Sequence, residues 1–258
     1  MTTESLLLVG RTDGGDSEVL ATHAERLDRR NLVEEVHTAT YETEPIRELR
    51  ETAASIETDR VFAVPMVAAH SHDTIEGIPA ALSYVPGAVH SCEPIGASPA
   101  VTETLVGRAS DHARGEDTTL VIVGFGSSSK PFHEQTAEYH AARLRERSEY
   151  AAVETCYLLQ NPAVECVRYN VDTPKAVAVP LFVLPSEATE RTIPERLSAG
   201  RGGMAYADPL GAHARVTDAV AAELAKQRSL AAESGPGFES RLTATQRPVA
   251  TDGEGVPR

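Results

Sequence analysis

Residues 64–79 read VPMVAAHSHDTIEGIP. A β-rich run over residues 61–65 ends in proline, a turn of small residues then carries His70 and His72, and residues 73–82 read as the start of a helix. Two imidazoles therefore stand at the carboxyl end of a strand, the edge at which open α/β sheets bind their ligands.

Outward from this stretch the pattern alternates. On its N-terminal side, residues 6–10 are a buried-type strand, 16–29 an amphipathic helix, 33–41 a strand and 45–56 a helix with proline at its start. On its C-terminal side come a weak strand, 88–92, and a helix, 100–113. Repeated βα units imply a parallel sheet with helices on its faces.

After a polar break, DHARGEDT at 111–118, the same order begins again. The strand at 120–124 repeats 6–10, HAARL at 140–144 repeats HAERL at 23–27, and VETCYLLQNP ending at Pro162 repeats VHTATYETEP ending at Pro45. Pro180 and Pro194 repeat Pro65 and Pro79, and DPLGAHARVT at 208–217 repeats EPIGASPAVT at 93–102. The offset stays near about 115 residues throughout, as a duplication with small insertions requires. The expected fold is α/β: two duplicated lobes, 1–114 and 115–228, each a small parallel sheet flanked by helices, with a central cleft about a pseudo-twofold axis. Residues 229–258, polar and rich in Gly, Pro, Ser and Thr without apolar period, read as a disordered tail.

Charge is the compositional outlier. Among 258 residues, 38 are acidic and 24 basic, a net charge of -14, and the only lysines are Lys130, Lys175 and Lys226. Such a surface repels nucleic acid and anionic membranes and suits a halophilic cytoplasm. Cys92, Cys156 and Cys166 have neither the parity nor the spacing of a disulfide framework or zinc ribbon, which fits buried thiols in a reducing compartment. The N-terminal MTTESLLLVG lacks a basic region and a long apolar run, so no signal peptide is expected. Nor does any segment approach the roughly 20 apolar residues of a membrane span.

Three motifs bear on chemistry. GFGSSSKP at 124–131 stands between a strand and a helix like a phosphate-binding loop, but Ser129 replaces the second glycine and Pro131 the metal-ligating hydroxyl, so nucleotide hydrolysis is not expected. What remains is a turn in which Gly124 and Ser127 either cradle a carboxylate or phosphate or simply turn the chain. Its repeat, GRTDGG at 10–15, places Gly10 and Arg11 where the other lobe has Gly124 and Phe125; Arg11 either forks a ligand carboxylate or pairs with Asp13 or Asp16. Third, His70 and His72, beside Asp73 and Glu76, suit Co²⁺, Ni²⁺, Fe²⁺ or Zn²⁺, or else are capping and surface histidines. Aligning Pro65 with Pro180 sets His72 on Glu187, His70 on Pro185 and Glu76 on Arg191, so that Glu187 is expected to face His72 across the cleft. The remaining histidines, His23, His37, His90, His112, His133, His140 and His213, are scattered over helices and strand ends, and most read as structural.

Taken together, the strand with a GxGS-like turn, the VP strand end with its histidine turn and IP helix start, and the [ED]P[IL]G segment before each last helix resemble the CbiX/SirB sirohydrochlorin chelatases. These are class II chelatases related to anaerobic cobalt chelatase and ferrochelatase. The resemblance spans residues 6–228. It implies a two-lobed chelatase fold and ATP-independent insertion of Co²⁺ into sirohydrochlorin or precorrin-2 on the way to cobalamin, with no permanently bound cofactor and Fe²⁺ or Ni²⁺ as other substrate metals. The family's GHGS histidine, which binds metal or accepts a proton, is Arg11 in one lobe and Phe125 in the other; its second histidine carries over to His72, displaced by about one position.

The expected site is therefore His70 and His72 as metal ligands, His72, His70 and Glu187 as catalytic groups, Arg11, Gly10, Gly124 and Ser127 against the substrate, and Asp73 and Glu76 in support. The expected partners are a small-molecule tetrapyrrole and a divalent metal, with neither nucleic acid nor membrane, in a monomer or homodimer. The rivals are an iron-inserting (siroheme) chelatase, a non-catalytic metal or tetrapyrrole binder, and a flavodoxin-like nucleotide binder.

Overall fold

The computed structural model describes residues 2–13, 17–198 and 204–233. Its first half is β1 (Glu4–Arg11), α1 (Glu18–Asp28), β2 (Glu35–Tyr41), α2 (Pro45–Glu48), α3 (Arg50–Ala54), β3 (Arg60–Pro65), α4 (Ile78–Leu82), β4 (Ala88–Ser91) and α5 (Pro99–Ser110). The second is β5 (Thr118–Gly124), α6 (Phe132–Arg147), β6 (Ala152–Tyr157), β7 (Lys175–Pro180), α7 (Ile193–Leu197), β8 (Met204–Tyr206) and α8 (Ala214–Glu233). Each half forms a four-stranded sheet, ordered β2-β1-β3-β4 and β6-β5-β7-β8, parallel throughout.

Strand alternation decides which side chains meet. In the first sheet Leu6, Leu8, Phe62 and Val64 face inward, while Leu7, Val9, Val61 and Ala63 face the outer helices α2 to α4. Leu120, Ile122, Val177 and Val179 are the inward set of the second sheet, and both inward sets belong to one continuous core. Between the sheets lie α1, α5, α6 and α8, and here the halves are exchanged: α5 packs on β7 of the second sheet, and α8 on β3 of the first.

Two buried histidines hold this exchange. His23 of α1 and His140 of α6 are both fully buried. Nε2 of each donates to a carbonyl that ends the other half's loop, Gly211 at 3.1 Å and Gly96 at 2.5 Å. A carbonyl only accepts, so Nε2 carries the proton and Nδ1 accepts, from Thr217 of α8 and Thr102 of α5 at 2.8 Å each. Burial lowers both pKa values, His140 to about 4, which keeps the rings neutral. Gly211 has φ 53°, a left-handed conformation that glycine adopts without strain.

Some expectations change. The helix expected at 45–56 is interrupted at Leu49, leaving two short pieces. Residues 229–233 of the expected tail are instead helical, the end of α8; residues 234–258, the rest of it, lie outside the described ones. Cys92 and Cys156 are buried with thiols pushed up to about 12 by burial, but Cys166 is exposed. No helix among the described residues is long and apolar enough to cross a membrane.

Candidate functional site

Both sheets present their carboxyl edges to a cleft of about 610 Å³. Each wall is made in the same way. After β3, Ser71 N–H donates to Thr74 Oγ1 at 2.8 Å and Thr74 Oγ1 donates to the Ser71 carbonyl at 3.1 Å; after β7, Ser186 and Thr189 do the same at 2.9 and 3.0 Å. A turn of π-helix follows in each half, Asp73–Gly77 and Ala188–Thr192, before α4 and α7 begin at Ile78 and Ile193. Such turns widen the helix and project side chains that a regular helix would not.

The first half contributes Arg11, Tyr41, His72 and Asp73 to the cleft. Tyr41 is buried, and burial together with the Asp73 carboxylate pushes its phenol up, so it stays protonated and donates to Asp73 Oδ2 at 3.2 Å. Arg11 donates through Nε to the Glu42 carbonyl at 3.0 Å and lies 4.0 Å from the same Asp73 oxygen. The carboxylate beside it is thus Asp73 and not the expected Asp13, while Asp16 lies outside the described residues. His72 is 70% exposed, with Nδ1 3.3 Å from Glu76 Oε1, which leaves Nε2 for a ligand.

The second half contributes Phe125, His133, Phe182, Glu187 and Arg196. Phe125 stands 5.7 Å from His133 and 6.2 Å from Phe182 between ring centroids. Burial lowers the pKa of His133, which stays neutral near pH 7. Glu187 lines the same cleft as His72, its carboxylate 3.8 Å from Arg191 and its N–H bonded at 2.5 Å to Asp13 from the turn after β1.

Several expected site residues are not in the cleft. His70 turns to a separate hollow beside α6 and α8, where Nε2 lies 2.6 Å from Glu93 Oε2, Nδ1 lies 3.2 Å from Thr74 Oγ1, and Phe132 packs edge-on at 5.5 Å. Both ring nitrogens face protein partners, and His70 does not line the cavity that His72 lines. Among the described residues, no group of three or more His, Cys, Asp or Glu side chains is placed to hold a metal ion. Gly10 and Gly124 serve packing: a Cβ at Gly10 would press on Leu184 at 2.6 Å, and one at Gly124 on the Tyr157 ring at 2.9 Å. Ser127 caps its own loop, Oγ accepting from Ser129 N–H and Lys130 N–H, and does not line the cleft. Conversely, His133 reaches the cleft although its sequence context reads as structural. The one available signal is its place in the first turn of a helix at a strand's carboxyl end.

A paired βα repeat opening on one cleft, with a histidine turn after its third strand, is the arrangement that comparison with known proteins resolves. The sequence pattern of CbiX matches residues 6–112 and again 119–227. The chain belongs to the CbiX family of sirohydrochlorin chelatases. It is 27% identical over 223 residues to a probable sirohydrochlorin cobaltochelatase of Halobacterium salinarum, covering 74% of this chain and 76% of that one. Among solved structures, SirB of Bacillus subtilis with Fe³⁺ superposes with a TM-score of 0.68 at 20% identity over 87% of this chain and 95% of that one. CbiX, described as the terminal enzyme for biosynthesis of siroheme in denitrifying bacteria, gives 0.66 at 20% identity over 86% and 98%. A multi-domain protein of Deinococcus radiodurans with structural similarity to chelatases gives 0.68 at 23% identity over 86% of this chain, which spans 54% of that protein's length.

Proposed function

We propose that the chain binds sirohydrochlorin, or precorrin-2, in the cleft and inserts Co²⁺ without ATP, in cobalamin biosynthesis in the cytoplasm. The observation that carries this reading is the convergence of His72 and Glu187, from opposite halves, on one cavity whose walls include the rings of Phe125 and Phe182. The choice of cobalt over Fe²⁺ or Ni²⁺ follows the name of the Halobacterium relative.

Insertion exchanges a hydrated cation for two pyrrole N–H protons, so the site has to present the ion, accept the protons and keep the macrocycle still. His72, oriented through Nδ1 by Glu76, takes a proton at Nε2 or passes the ion, with Glu187 opposite. His133 adds a neutral imidazole on the other wall. An ion held by so few ligands leaves readily for four ring nitrogens, whereas a closed protein site would compete with them. Arg11 and Arg196 hold peripheral carboxylates, and the aromatic wall supports the ring.

The test is cobalt insertion into sirohydrochlorin, followed by absorbance. His72→Ala is expected to lower turnover by about 10²-fold, the usual contribution of a positioned acid–base group, and His133→Ala by less. Unchanged turnover in His72→Ala removes the mechanism.

A second reading, a chelatase homologue that binds metal or tetrapyrrole without turnover, is favoured by Arg11 and Phe125 at the two turn positions where the family has histidine. It predicts a spectral shift that stops at one equivalent of cobalt per protein, where the enzyme continues through many.

A further inference from the structure

We infer that a second hollow, entered from the cleft past His72, is a subsite for one carboxylate arm of the tetrapyrrole, built on Arg50 stacked over Tyr84; this rests on the tetrapyrrole-binding reading above. The hollow is about 550 Å³ and lies outside α2 and α3. His72 and Asp73 line both it and the cleft, so a ring seated in the cleft can extend an arm past them. Its far wall is Arg47, Arg50, Ile46 and Tyr84.

The charges around it are already committed, except one. Glu44 lies 3.6 Å from Arg47. Asp73 is held by Tyr41 and Arg11. The nearby Glu48 folds back to accept three backbone N–H groups, from Glu42, Thr43 and Glu44 at 2.7, 3.1 and 2.7 Å, which holds its carboxyl at about 2 and rigidifies the rim. Arg50 has no carboxylate partner among the described residues; its guanidinium lies 4.6 Å above the centroid of Tyr84. Arg143 over Tyr139 is likewise without a recorded carboxylate, but it lies on α6, and Arg50 is the one that lines this hollow. Stacking occupies the face of the guanidinium and leaves its N–H edges for a carboxylate fork.

The duplication supplies an internal comparison. In the register that pairs Pro45 with Pro162, Arg47 and Arg50 correspond to Val164 and Val167, both buried under the second sheet. The subsite exists in one half only, and it therefore selects one orientation of a ring whose arms differ.

The test is an absorbance titration of the full chain with metal-free sirohydrochlorin, followed by insertion kinetics with cobalt. Arg50→Glu is expected to weaken Kd by about tenfold and Tyr84→Ala by about threefold, with kcat at saturation within about twofold of the parent, as loss of a ground-state contact dictates. Arg50→Lys, which keeps the charge but not the fork, falls between. Arg29→Glu, an exposed reversal at the end of α1, is the control for net charge and leaves Kd unchanged. Circular dichroism verifies that each variant is folded. Unchanged Kd in both Arg50→Glu and Tyr84→Ala, or equal weakening in the Arg29→Glu control, overturns the subsite alone. Failure of the parent chain to bind sirohydrochlorin overturns the reading of the cleft and the subsite with it; binding without turnover removes only the chelation step, and the titration still decides the subsite.

Discussion

His70 and His72 are separated by one serine and line different cavities. His70 has a partner on each ring nitrogen and packs on Phe132, so it ties the strand-end turn to α6 and to the loop after β4. Its replacement by alanine is expected to leave kcat for cobalt insertion within about twofold while lowering stability by about 1–2 kcal/mol, the net worth of such hydrogen bonds, as read from urea unfolding. A large fall in kcat with an unmoved urea midpoint would return His70 to the reaction. The HSHD sequence made both residues visible but not their directions. They lie in a turn, where no period of 2 or 3.6 fixes which side chains share a face, and the partners that orient His70 stand 4 and 23 residues away. The same limit applies to Ser127, whose hydroxyl closes its own loop. It applies also to His133, which carried nothing to separate it from the histidines read as structural.

At the scale of elements, the strands and most helices could be read from periodicity, because buried parallel strands are continuous apolar runs. The exchange of α5 and α8 could not. Both HA.RL and [ED]P[IL]GA recur visibly in the sequence, yet the bond that explains them joins His23 to Gly211 and His140 to Gly96, across the halves. This latch has a pH signature. Unfolded histidine titrates near about 6.5 and His140 in the fold at about 4, so between these values the unfolded chain takes up a proton that the fold refuses. Stability contributed by the neutral ring is complete above pH 6.5 and declines as pH falls toward 4; His23 shifts in the same direction. The urea midpoint is expected to drop between pH 7 and pH 5. In His140→Gln the drop should be smaller, on a protein already destabilised by about 2 kcal/mol at pH 7, the cost of an unmatched buried site. Equal pH dependence in parent and variant would locate the acid sensitivity elsewhere.

For the whole molecule, the duplication was the most legible feature, since a repeat needs only comparison of the chain with itself. The acidic surface was equally plain and carries its own expectation. With -14 net charge, self-repulsion opposes the compact state at low ionic strength, and it is screened within about 3 Å in molar salt against about 10 Å at 0.1 M. The melting temperature should rise markedly between 0.1 M and 2 M KCl, measured by calorimetry; a salt-independent value would refute a halophilic adaptation. What composition could not disclose was the one-sided hollow at Arg50, because it depends on where an arginine without a carboxylate partner stands in space.

The crossing of α5 and α8 has an architectural corollary. Each sheet takes part of its inner cover from the other half: α8 lies on β3, the strand of Phe62 and Val64, and α5, which precedes β5, lies on β7, the strand of Val177 and Val179. A ribosome therefore delivers α5 before the strand it covers, and α8 long after β3. Either half alone would leave β3 or β7 without a helix that packs on it, because that helix is borrowed from the other half.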